Sequence, residues 1–139
     1  MTSKRFMSNL TITIKDETIG GNILNEIKIQ IASERTTVRE IIEARVTAEV
    51  QDYNQRSPLV YYGLVKPSDS ESELNGYRLR KRDMKIDPEQ QIYTALDAFQ
   101  QNGFFVLIDN NQAEYLDQEV LVNQRTEVSF IKLTPLVGG

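Results

Sequence analysis

The chain closes on "SFIKLTPLVGG", where strand-forming residues Phe130 to Leu133 run into Pro135, Leu136 and Val137 and then Gly138-Gly139. Glycine loses more conformational entropy on ordering than any other residue and brings no side chain to pack. A glycine pair placed after a strand is therefore either frayed chain or a segment that another molecule handles. The remaining composition narrows the chemistry. With no histidine, the usual general base near neutral pH and the commonest metal ligand are missing. With no cysteine there is no thiolate nucleophile, disulfide or sulfur-ligated metal, which fits a reducing cytosol. Catalysis would rest on Asp, Glu, Lys, Tyr, Ser or Thr alone. Composition thus favours a binding or carrier module over an enzyme.

Other residue groups carry weaker chemical signals. Gly20-Gly21 is not followed by the helix start and lysine of a phosphate loop, so it reads as a hairpin turn. Asp109, Glu114, Asp117 and Glu119 cluster near late turns, but their spacing does not match a calcium loop. A net charge of −4 argues against binding driven by nucleic-acid phosphates. Within the middle of the chain, acidic Asp69, Glu71 and Glu73 precede basic Arg78, Arg80, Lys81, Arg82 and Lys85, two blocks that partly neutralise each other. No apolar run approaches the roughly 20 residues that span a bilayer. The opening "MTSKRFMSNLTITIK" has no uninterrupted apolar segment, so no signal peptide is expected.

The elements that must position the C-terminal segment follow from periodicity. The 139 residues, 40% apolar and 26% charged, read as a single domain. "LTITI", Leu10 to Ile14, alternates as a strand. "ILNEIKIQIAS" puts Ile27, Ile29 and Ile31 on one face and Lys28 and Gln30 on the other, giving an antiparallel hairpin around the glycine turn. Thr37 with Glu40 forms a capping box for a helix whose apolar stripe is Val38, Ile42, Val46, Val50 and Tyr53. Arg39, Glu43, Arg45 and Glu49 fall off that stripe and read as solvated.

Residues 56 to 87 are the least regular, and read as an elaborated surface insertion. "LVYYGLV" and "GYRLR" are its candidate strands, and Tyr61 and Tyr62 its anchors to the body. Asp87-Pro88 caps a second helix with Ile92, Ala95, Leu96 and Phe99 buried and a left-handed stop at Asn102-Gly103. "FFVLI" is a strand, "DNN" a tight turn into "QAEYL", and "EVLV" a short strand. "TEVSFIKL" closes, with Val128, Phe130 and Lys132 on one face and Glu127, Ser129, Ile131 and Leu133 on the other. The long intervening segment supplies the crossover that parallel pairing needs, so the last strand is expected centrally, parallel to the first.

A hairpin, a helix, a final central strand and a diglycine directly after it resemble the ubiquitin-like β-grasp superfamily. The expected fold is α+β, a mixed sheet around a central helix. The resemblance covers residues 9 to 54 and about 103 to 139. An insertion at about 55–102 carries the second helix, and residues 134–139 form a flexible tail. Two glycines would close a chain by chance in about 0.5% of cases at a background near 7% each.

The resemblance implies the chemistry. In that superfamily an activating enzyme uses ATP to adenylate the C-terminal glycine carboxylate, here Gly139. Pro135, Leu136, Val137 and Gly138 would be read by the activating enzyme or by a protease. Ubiquitin-type modifiers then pass through cysteine thioesters to a conjugating enzyme and a target protein. Lys15, Lys28, Lys66, Lys81, Lys85 and Lys132 could accept further copies, although exposed lysines ordinarily only aid solubility. Sulfur carriers instead form a C-terminal thiocarboxylate, and Pro135 and Val137 look more like their tails. The length departs from the compact sulfur carriers and is similar to modifier-like proteins of bacterial operons associated with antiphage defence. Those operons also encode activating, conjugating and JAB-type deconjugating partners. The expectation is a cytoplasmic modifier with no bound cofactor, no nucleic-acid or membrane partner, and no processing beyond the glycines. A sulfur carrier, or a β-grasp interaction domain with an incidental diglycine, remains the alternative.

Overall fold

The computed structural model describes residues 10–73, 76–81 and 84–133. Pro135, Leu136, Val137, Gly138 and Gly139, and Arg82 of the basic block, lie outside the described residues. The fold is α+β. In chain order it comprises β1 (Leu10–Glu17), β2 (Ile23–Ile31), β3 (Arg35–Thr37), α1 (Val38–Arg56), β4 (Ser70–Glu73) and β5 (Gly76–Leu79). There follow α2 (Pro88–Gln100), β6 (Phe104–Ile108), β7 (Asn111–Gln112), β8 (Glu119–Leu121) and β9 (Val128–Lys132).

Among the described residues, five strands form one mixed sheet in the order β2-β1-β9-β6-β7. β9 pairs parallel with β1, Val128 opposite Ile14, and antiparallel with β6, Val128 opposite Ile108. The last strand is thus central and parallel to the first, as the crossover length requires. Alternation explains the inward face: Ile12, Ile14, Ile29, Ile31, Val106, Val128 and Phe130 are buried there, while Thr11, Lys28 and Gln30 point away. β3 and β8 form a separate antiparallel pair.

The helix ends obey local chemistry. Thr37 caps α1, its hydroxyl accepting from the Glu40 N–H at 3.2 Å, and Asp87 caps α2, with Pro88 in the first turn. After α2 the left-handed residue is Asn102, φ 61°, and the Gly103 N–H closes on the Ala98 carbonyl at 2.8 Å. Asp109 and Asn110, φ 50° and 67°, make the two-residue turn between β6 and β7. The Asp109 carboxylate also accepts from the Glu127 N–H at 2.9 Å, so this acid orders the entry to β9. α1 lies across the sheet's inward face, and α2 packs beside it towards β6.

The insertion departs from the sequence reading in two ways. "LVYYGLV" is not a strand: only Tyr61 bridges, to Tyr77. Tyr61, Leu64 and Val65 all turn into one part of the core, a path that period-2 alternation does not provide. Meanwhile "SESE", Ser70 to Glu73, is the strand that pairs with Gly76–Leu79. Acid meets base across this hairpin, Glu71 opposite Arg78, and Arg78 Nε lies 2.7 Å from Glu73 Oε2. Nor is the insertion merely superficial. Tyr61, Leu64, Val65, Leu79 and Ile86 join the main core, and Asn54 holds Ile86 by accepting its N–H and donating to its carbonyl, each at 2.9 Å. Of the two tyrosines expected to anchor it, Tyr61 is buried and Tyr62 is exposed. Among the described residues no helix is long and apolar enough to cross a membrane.

Candidate functional site at the root of the tail

The residues expected to react, Gly139 and the preceding Pro135–Gly138, follow directly on β9 but lie outside the described residues. What the structure describes is the platform from which they emerge. β9 is held from both sides by the sheet and from beneath by aromatic packing. The Phe130 ring stacks on Phe104 with centroids 5.7 Å apart, and Phe104 meets Phe99 at 6.0 Å.

Beneath Phe130 sits a buried charge cluster. The Arg45 guanidinium lies 4.8 Å from the Phe130 ring centroid. Its NH1 and NH2 donate to the two carboxylate oxygens of Asp16, the NH2 bond at 2.6 Å, and its Nε donates to Glu49 Oε2 at 3.3 Å. The other Glu49 oxygen accepts from the Tyr61 hydroxyl at 3.2 Å and the Leu64 N–H at 3.0 Å. Arg45 and Glu49, read from the sequence as solvated, are therefore buried, 0% and 8% exposed, beside Asp16 at 2%. α1 is enclosed on more than one side, by the sheet, by α2 and by the insertion, so the narrow apolar stripe underestimates its buried face. One signal pointed there. Asp16 continues the inward alternation of Ile12 and Ile14, and a carboxylate at an inward position needs a buried cation.

The cluster shifts its members in predictable directions. Burial pushes the Glu49 carboxyl above its ordinary value; Arg45 and the Leu64 N–H oppose this, and the Asp16 carboxylate adds to it. Burial lowers the Arg45 value, but the Glu49 and Asp16 carboxylates outweigh it and hold the guanidinium charged. Burial, and then Glu49, push the Tyr61 hydroxyl up. Every carboxylate oxygen of Asp16 and Glu49 already accepts a protein donor. Their role is to position, tying β1, α1 and the insertion together under the last strand.

Lys132 makes the second tie. At the end of β9 its Nζ donates to the Gly63 carbonyl at 2.9 Å, and burial depresses its pKa despite the Asp16 carboxylate. Lys132 is thus a partly buried crosslink, whereas Lys28, Lys66, Lys81 and Lys85 are exposed. Lys132 and Leu133 also line a mostly apolar, open pocket of about 390 Å³, together with Leu64, Tyr77, Ala98 and Phe104. The late acidic residues do not gather: Asp117 pairs with Arg39 and Glu119 with Arg35. No group of three or more possible metal ligands is present among the described residues.

Two expected outcomes follow from this geometry. Below the ordinary carboxyl value of 4.5, Glu49 is protonated in both folded and unfolded chains. Its contribution to stability is fully present there and is lost as pH rises through the elevated folded value. Glu49→Gln should remove that loss. In urea unfolding between about pH 4 and 7, stability of the variant relative to the native chain should rise with pH. A difference independent of pH would show that Glu49 does not titrate as its burial requires.

The second outcome concerns Gly63, where an added Cβ would lie 2.1 Å from Cζ of the Tyr61 ring. Gly63→Ala should cost about 1–3 kcal/mol through overpacking. In a Tyr61→Ala background the same change should be nearly silent, a coupling readable in a double-mutant cycle. Additive costs would refute the clash.

Comparison with protein-family models, with curated proteins and with solved structures found no match for the chain.

Proposed function

We propose that this chain is a ubiquitin-like modifier of the β-grasp type, with Gly139 as its reactive terminus. An activating enzyme would bind the tail, and a Gly139 carboxylate oxygen would attack the α-phosphorus of ATP, releasing pyrophosphate. A cysteine thiolate of that enzyme would then displace AMP, and the acyl group would pass through a conjugating enzyme to a target. A JAB-type protease would reverse the bond. The chain itself supplies no base or metal in this scheme.

The observation that carries the reading is the placement of β9. It runs parallel to β1 between β1 and β6, so the segment bearing the diglycine starts from the middle of the sheet. The hairpin β1-β2 crossed by α1 supports the β-grasp assignment. Fully extended, the six residues from Thr134 to Gly139 could span roughly 20 Å, enough to reach from a folded body into a partner's channel. Glycines at the end allow the close backbone approach that such a channel needs. Pro135 lowers the entropy lost on capture.

A second reading, a sulfur carrier, is favoured by Pro135 and Val137. Pyrophosphate release on mixing the chain with ATP and a ubiquitin-activating-type enzyme tests both. Intact mass then separates them: a thiocarboxylate exchanges one oxygen for one sulfur, while a modifier yields conjugates of higher mass. Mass of the natural protein checks that Gly139 is its terminus. No release would leave the third reading, an interaction domain.

A further inference from the structure

The outermost strand of the sheet, β2, spans nine residues, whereas β7 at the opposite edge has two. Among the described residues no strand lies beyond β2, so one row of its N–H and C=O groups has no strand partner. Edges of this length are ordinarily shortened, bulged or covered; β2 has a register shift at its start, between Ile23 and Asn25, and runs regularly from Asn25 to Ile31. Here α1 faces the edge with Ala44, Thr47 and Ala48, whose small side chains leave grooves of about 510 and 570 Å³ along β2.

The strand sequence "ILNEIKIQI" is self-complementary about Ile27. When two copies lie antiparallel about that residue, Glu26 of one stands opposite Lys28 of the other, and symmetry repeats the pair. Both side chains are exposed and share the outward face, since residues two apart on a strand point the same way. Within one chain Glu26 already stands opposite Lys15 of β1, so the added strand continues a row of alternating charge. On the other face Ile27 meets its symmetry mate. Because the register shifts between Asn25 and Ile23, the pairing is carried by the bulge-free stretch Asn25–Ile29. Opposite charges directly across an antiparallel pair stabilise it and like charges oppose it.

We propose that β2 is a self-association surface, pairing antiparallel about Ile27 with β2 of a second copy to join two sheets into one. The surface is isologous, as a two-fold dimer requires. It involves neither the tail nor its chemistry.

Sedimentation of the full chain tests it, with circular dichroism as the check on folding. The native chain is expected to dimerise reversibly, at weak affinity for a small interface. Lys28→Glu alone and Glu26→Lys alone each place like charges opposite one another twice, and should weaken the dimer about tenfold or more. An equimolar mixture of the two variants restores both opposite-charge pairs, so a heterodimer should return. The double variant should recover the homodimer for the same reason. A native chain that stays monomeric to about 1 mM overturns the proposal. So do single variants that dimerise as the native chain does, or a mixture that fails to recover.

Discussion

Arg45→Ala is expected to be the most damaging single substitution in the body of the protein, costing about 3–5 kcal/mol. Arg45 is fully buried, and its removal strands Asp16, 2% exposed, and Glu49, 8% exposed, without their shared cation. It also takes the guanidinium from the Phe130 ring and leaves a void under the central strand. Since a domain of this kind is stable by only about 5–15 kcal/mol, such a loss approaches unfolding. Arg45→Lys should rescue little, because one ammonium cannot serve both Asp16 oxygens and Glu49 together. The internal control is Arg39→Ala. Arg39 is partly exposed and pairs with exposed Asp117 at 3.4 Å, so its loss should cost about 0–1 kcal/mol. Urea unfolding followed by circular dichroism reads both. If Arg45→Ala and Arg39→Ala were equally mild, the buried cluster would not exist as described.

The buried cluster also shows where the sequence could be read and where it could not. Elements governed by local rules were legible. The alternating isoleucines of β1 and β2, the Thr37 and Asp87 caps, the Asn102 stop and the Asp109-Asn110 turn each follow from residues close in sequence. The central parallel position of β9 was legible too, because a chain cannot return in parallel without a long crossover. Arg45 and Glu49 were not, since their burial depends on Asp16 and on Tyr61 and Leu64, residues far away in sequence. Their i, i+4 spacing looks identical in a solvated ion pair and in a buried one.

The insertion failed for a related reason. Polarity kept Ser70 to Glu73 off the candidate strands, but a two-stranded hairpin can be held by paired charges on exposed faces. Apolarity made Leu59 to Val65 look like strand, but Gly63 lets the Tyr61 ring fold over the backbone towards Glu49. Lys132 reads as a surface lysine until its acceptor, the Gly63 carbonyl, is known. The Tyr61 and Lys132 errors lie where a side chain's fate is set by a partner distant in the chain.

Deleting Gly139 is expected to remove adenylation altogether under the proposed function, a fall of at least about a thousandfold in pyrophosphate release. The deletion withdraws the carboxylate by one residue, about 3.3–3.6 Å, from where the nucleotide phosphate is held. A misplacement of about 1 Å can already cost a hundredfold, and a shortened tail cannot make up a length it lacks. Gly138→Val keeps the reach but adds a branched side chain where the backbone must pass closely, so kcat should fall with little recovery at high concentration. Leu136→Ala should behave differently. Its side chain would contribute binding that is equal before and in the transition state, so KM should rise while kcat holds. Unchanged urea midpoints for all three variants exclude unfolding as the cause. If the chain lacking Gly139 released pyrophosphate as well as the native chain, the diglycine would be incidental, and the protein's contacts would have to be sought on its folded body.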